Sequence, residues 1–79
     1  ATRVFEQAMQ VAKALKSRGK RSWALREISI EMAKARQFYQ AIKVAKEIED
    51  AFYRSCALAE VAIVLAEVTI VGDISLSYR

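Results

Sequence analysis

Histidine, proline and asparagine are all missing from the 79 residues, and there are only two glycines and one cysteine. Without proline, and with so little glycine, the residues that normally punctuate sheets and long loops are lacking, so helices are expected to dominate. Histidine is the commonest metal ligand and the usual general base near neutral pH. Its absence beside the lone Cys56 leaves few ways to assemble a metal site or a nucleophile–base pair. No catalytic residue, metal or cofactor is therefore expected, and an enzyme is the least favoured function class. Cys56 has no internal disulfide partner, and no apolar run with a small-residue cleavage site stands at the start, so the cytoplasm is the expected compartment. A long hydrophobic run is missing too. The most apolar stretch, Val61 to Val71, is interrupted by Glu67 and falls short of the ~20 residues that a membrane helix requires.

What is present is an apolar but unevenly charged chain, 54% hydrophobic with a net charge of +4. Residues 1–46 carry eleven Lys and Arg against three Glu, whereas residues 47–79 carry two Arg against six Asp and Glu. The molecule is therefore electrically polar along its length. A chain of this size has room for one domain, 1–79, which buries only roughly 60% of its unfolded surface, so a thin core is expected.

The chain also repeats itself. A shift of 33 residues places Phe5, Gln7, Ala8, Val11, Ala12 and Lys13 on Phe38, Gln40, Ala41, Val44, Ala45 and Lys46. The same shift places Arg21, Ser22, Ala24, Leu25, Glu27 and Ala33 on Arg54, Ser55, Ala57, Leu58, Glu60 and Ala66. Other pairs keep their character, as Met9 with Ile42, Leu15 with Ile48, Ile28 with Val61 and Met32 with Leu65. Within each unit the apolar spacing is helical: Phe5, Ala8, Val11, Ala12 and Leu15 recur at three and four residues, as do Leu25, Ile28, Met32 and Ala35. Polar or glycine-containing breaks fall at Ser17 to Lys20, at Arg36-Gln37 and at Glu49-Asp50. Helices are expected over 3–17, 21–35, 38–49 and 53–69, with a hairpin at 21–50 and a tail at 70–79. The tail has two readings: Gly72-Asp73-Ile74 as a turn that opens a truncated helix, or a strand-like end with alternating Ile74, Leu76 and Tyr78.

The order Leu25, Ile28, Ser29, Met32, Phe38, Ala41, Ala45 and Ile48 resembles the tetratricopeptide repeat, with Phe38 where that family has its turn aromatic and Ala41 and Ala45 where small residues let two helices approach. The period is 33 where that family has 34, Tyr53 stands in place of the hairpin-closing proline, and Arg36 replaces the turn glycine. The chain is thus tetratricopeptide-like. The resemblance implies an all-α fold of tandem αα-hairpin repeats, a fragment of a right-handed solenoid with about four helices. It opens on the second helix of one hairpin and closes on the first helix of a third. That start in mid-hairpin, without methionine, is what a fragment or a processed product would show.

The resemblance further implies that first helices line an inner groove, where Trp23, Arg26, Ile30 and Lys34, followed by Ile63 and Glu67, would meet a partner peptide; the bland alternative buries Trp23 and Ile30 under neighbouring helices. Capture of a peptide carboxylate is disfavoured, because the family's lysine and asparagine set has no asparagine to draw on here. The apolar run after Phe52 calls for a cover. Val61, Val64, Leu65 and Val68 are the expected oligomer interface unless residues 70–79 fold back over them. Cys56 shares the slot of Trp23, which favours a packed small side chain over a reactive thiol. Glu27 and Glu60 read as scaffold carboxylates paired with Arg21, Arg54 or an adjoining helix. The resulting expectation is a protein–protein interaction scaffold, self-associating or docking a protein partner, with no membrane. The opposing reading is a nucleic-acid-associated module whose phosphate contacts are Lys13, Lys16, Arg18, Lys20 and Arg21. No aromatic residue is interleaved there for base stacking, and a solvated loop explains the same cluster.

Overall fold

The computed structural model describes residues 2–77, with side-chain exposure for residues 3–70. It is all-helical: α1 is Thr2–Lys13, α2 Arg18–Lys34, α3 Phe38–Lys46 and α4 Ala51–Ser77, and no strand occurs among the described residues.

Local chemistry explains where these helices start and stop. Ser17 is the N-cap of α2, its hydroxyl accepting the Lys20 backbone N–H at 3.3 Å. That cap starts the helix three residues before the expected Arg21 and places Gly19 in the first turn, where its entropy cost is tolerable. Asp50 does the same for α4, accepting from the Tyr53 N–H at 3.1 Å. Arg21 Nη1 donates to the Leu15 carbonyl at 2.8 Å and Arg54 Nη1 to the Ile48 carbonyl at 3.0 Å, so each arginine satisfies a carbonyl just beyond the preceding helix. Both the caps and the arginine clasps are separated by 33 residues. The hydrogen bonds therefore recur with the period of the sequence.

The end of α2 is a Schellman turn. Arg36 takes φ 66°, Gln37 N–H reaches the Met32 carbonyl and Arg36 N–H the Ala33 carbonyl, both at 2.9 Å. Arginine thus occupies a left-handed position that glycine would adopt without strain. The tail differs from both expectations. α4 runs through Gly72 to Ser77, so no turn forms at Gly72-Asp73-Ile74 and the strand-like alternation is not realised. A single glycine costs a helix only about 1 kcal/mol, and no proline follows to stop it. Tyr78 and Arg79 lie outside the described residues.

α1 packs against α2, α2 against α3 and α4, and α3 against α4. The core lies along these contacts: Leu25, Met32 and Ala33 of α2 meet Ala41, Val44 and Ala45 of α3, with Ile48, Ala57 and Val61 closing the far side. Ala33, Ala41, Ala45 and Ala57 are fully buried, which lets helix axes approach closely at the expense of apolar volume. The Cα extents of 52 × 27 × 14 Å describe a flat slab with a thin core.

Candidate association surfaces

The sequence repeat turns exposure into a controlled comparison, because like residues occupy like positions in two environments. Val44 of α3 is 5% exposed, whereas Val11 of α1 is 69% exposed. Ile48 is fully buried, but its counterpart Leu15 is only half-buried. The second contrast runs the other way along the chain. Ile30 and Met32 of α2 are 8% and 5% exposed, whereas Ile63 and Leu65 of α4 are 50% and 40% exposed. Ser29 and Ala33 are buried in α2, and their counterparts Ala62 and Ala66 are exposed. The α2 side chains are covered at the junction that joins α2 to α3. The α1 and α4 side chains belong to helices for which that neighbour is lacking.

Two apolar faces result, at opposite ends of the slab. The first is a shallow groove of about 550 Å³ between α1 and α2, lined by Val4, Ala8, Val11 and Leu15 on one side and by Trp23, Ala24 and Ile28 on the other. The second is the α4 strip of Ala62, Ile63, Leu65, Ala66 and Ile70, all exposed. Sequence reasoning identified the α4 run but missed the α1 face. The identity of Val11 and Val44 was the available signal, since a residue repeated in register implies the same packing partner for both copies.

The expected interface residues divide. Val61 is 2% exposed and belongs to the core, where it packs beside Ala57, so it is removed from the interface. Val64 and Val68 are half-buried, and Leu65 is open. The expected groove stripe is also broken. Trp23, Lys34, Ile63 and Glu67 are exposed and Arg26 is half-buried, but Ile30 is buried and presents nothing to a ligand. Trp23 lies on the α1–α2 groove instead. Cys56 is half-buried. Glu27 pairs with its neighbour Arg26 at 2.7 Å, not with Arg21. Arg21 is already committed to Glu49 at 3.2 Å and to the Leu15 carbonyl, while Arg54 is drawn to the carbonyls of Ile48 and Glu49.

The basic cluster is partly neutralised by the next interhelical loop. Lys13 lies 3.7 Å from Glu47, and Arg18 and Arg21 both reach Glu49, at 3.7 and 3.2 Å. Lys16 and Lys20 are exposed and form no ion pair among the described residues. The basic loop and the acidic loop thus run side by side along one edge. A second groove, of about 400 Å³, separates α1 from α3; Phe5, Met9, Met32 and Val44 contribute apolar surface to it, and Gln10, Gln37, Gln40 and Lys43 are polar.

The chain matches no protein-family model, and comparisons with curated proteins and with solved structures give no match either. Among the described residues there is no cluster of side chains suited to a metal ion, and no helix long and apolar enough to cross a membrane.

Proposed function

We propose that this chain is a non-catalytic protein-association module, built as a tetratricopeptide-like array of αα-hairpins and acting through burial and shape complementarity in a cytoplasmic setting. The observation that carries the reading is the paired exposure of repeat-equivalent residues. Val11, Ile63 and Leu65 are apolar side chains whose counterparts are core, and contiguous exposed apolar strips of this kind mark interfaces. The recurrence of the Ser17 and Asp50 caps and of the Arg21 and Arg54 clasps supports the repeat architecture on which the reading rests. The open faces would take a second copy or a partner protein. Trp23, at the edge of the α1–α2 groove, is the aromatic anchor best placed to contribute binding energy.

The nucleic-acid reading retains Lys16 and Lys20 as exposed cations without ion-pair partners among the described residues, but Glu47 and Glu49 compete with phosphate for Lys13, Arg18 and Arg21. The test is affinity capture from host lysate, with and without nuclease, using the wild-type chain and an Ile63→Asp/Leu65→Asp variant. A protein set that survives nuclease and is lost with the variant supports the association reading. A set that vanishes with nuclease, together with oligonucleotide binding that falls steeply as salt rises, overturns it in favour of the basic loop.

A further inference from the structure

The two open faces are not merely apolar; each is one half of a junction that the chain already contains. The α4 strip corresponds, 33 residues on, to the α2 face buried against α3. The α1 face corresponds to the α3 face buried against α2. α4 therefore offers what α2 offers, and α1 offers what α3 offers.

We propose that copies of this chain stack head to tail, α4 of one copy receiving α1 of the next as α2 receives α3 within the chain. In this arrangement Ile63 and Leu65 take the places of Ile30 and Met32, while Val11 and Leu15 of the next copy take those of Val44 and Ile48. The inference rests on the association reading above and adds its occupant, its polarity and its register.

Charge supports a second copy as the occupant. Lys13–Glu47 and Arg18–Glu49 show that successive interhelical loops lie side by side on one edge of the slab. Stacking brings the acidic loop of one copy, with Glu47, Glu49 and Asp50, beside the basic loop of the next, where Lys16 and Lys20 await partners. A two-fold pairing of α4 with α4 would instead leave every α1 face open and place like ends together. The stacked contact joins different surfaces on the two copies, so it does not close on itself and growth is open-ended.

The experiment is sedimentation of three proteins: wild type, a head-blocked Val4→Asp/Val11→Asp variant and a tail-blocked Ile63→Asp/Leu65→Asp variant. All four positions are exposed, so helicity by circular dichroism should match wild type in each. The weight-average mass of wild type should rise with concentration past that of a dimer. Burying unpaired carboxylates should weaken the contact roughly a hundred-fold or more, leaving each variant monomeric alone. Mixed in equal amounts, the two variants should form a one-to-one dimer and nothing larger, because one intact tail meets one intact head. A wild type that stays monomeric at millimolar concentration overturns the proposal, as does a head-blocked variant that still dimerises or a mixture that does not associate. In each case, nuclease-resistant capture of a protein through the α4 face would leave the association reading standing.

Discussion

Replacing Val11 and Val44 separately by alanine tests the controlled comparison directly, because the two residues are identical and repeat-equivalent and differ in surroundings. At Val44 the change removes two buried methyl groups. Transfer contributes ~1.6 kcal/mol at about 0.8 kcal/mol per methyl-sized group. The cavity left against Ala33, Ala45 and Met32 adds about 1 kcal/mol, since residual void costs ~24 cal/mol per Å³. Alanine recovers roughly 0.5 kcal/mol by its higher helix propensity, and the net loss is about 2 kcal/mol. At Val11, with less than a third of the side chain's surface covered, the lost transfer energy and the propensity gain nearly cancel, and a change within about 0.5 kcal/mol of zero is expected. Urea unfolding followed by far-ultraviolet circular dichroism, at concentrations dilute enough to exclude association, reads both. For a domain of this size the Val44→Ala melting temperature should fall by roughly 8–16 °C, and that of Val11→Ala should hold. Equal destabilisation at the two sites would refute the reasoning, because it would mean that the α1 face is covered within the single chain.

Arg36→Gly should stabilise the chain by about 0.5–1 kcal/mol, by relieving the left-handed backbone of the Schellman turn; a lower urea midpoint would show that the arginine side chain makes a compensating contact. Ser17→Ala and Asp50→Ala should each cost about 1 kcal/mol, with Asp50→Ala the larger because its carboxylate also complements the start of α4. Denaturant midpoints measure both, and a neutral Asp50→Ala would remove the cap from the account of where α4 begins.

Much of the fold was legible because helix periodicity and internal repetition are local properties. The spacing of Phe5, Ala8, Ala12 and Leu15 is helical in any setting, and identity at 33-residue spacing ties two segments to one pattern. The small residues Ala41 and Ala45 were readable as a close-approach strip for the same reason, and both are fully buried. Helix ends were less legible. Ser17-Arg18-Gly19-Lys20 reads as a loop by composition, but a single hydroxyl accepting one backbone N–H makes most of it helix. Gly72 reads as a stop signal, yet without a following proline or a cap it does not end α4.

The candidate surfaces divide along the same line. By itself the sequence determined that the chain is helical, that its helices fall into two repeating kinds, and that positive and negative charge are segregated along it. Only the tertiary structure decided which copy of each repeated residue is buried. Val11 and Val44, or Ile30 and Ile63, cannot be distinguished by residue type or spacing. Burial depends on whether another helix lies against that face, and for this chain that neighbour is present at the α2–α3 junction and lacking at both ends. Charge pairing was decided in the same way. Glu49 engages Arg18 and Arg21 because the packing of α2 against α3 and α4 sets two loops side by side, a proximity across about thirty residues that no local pattern encodes.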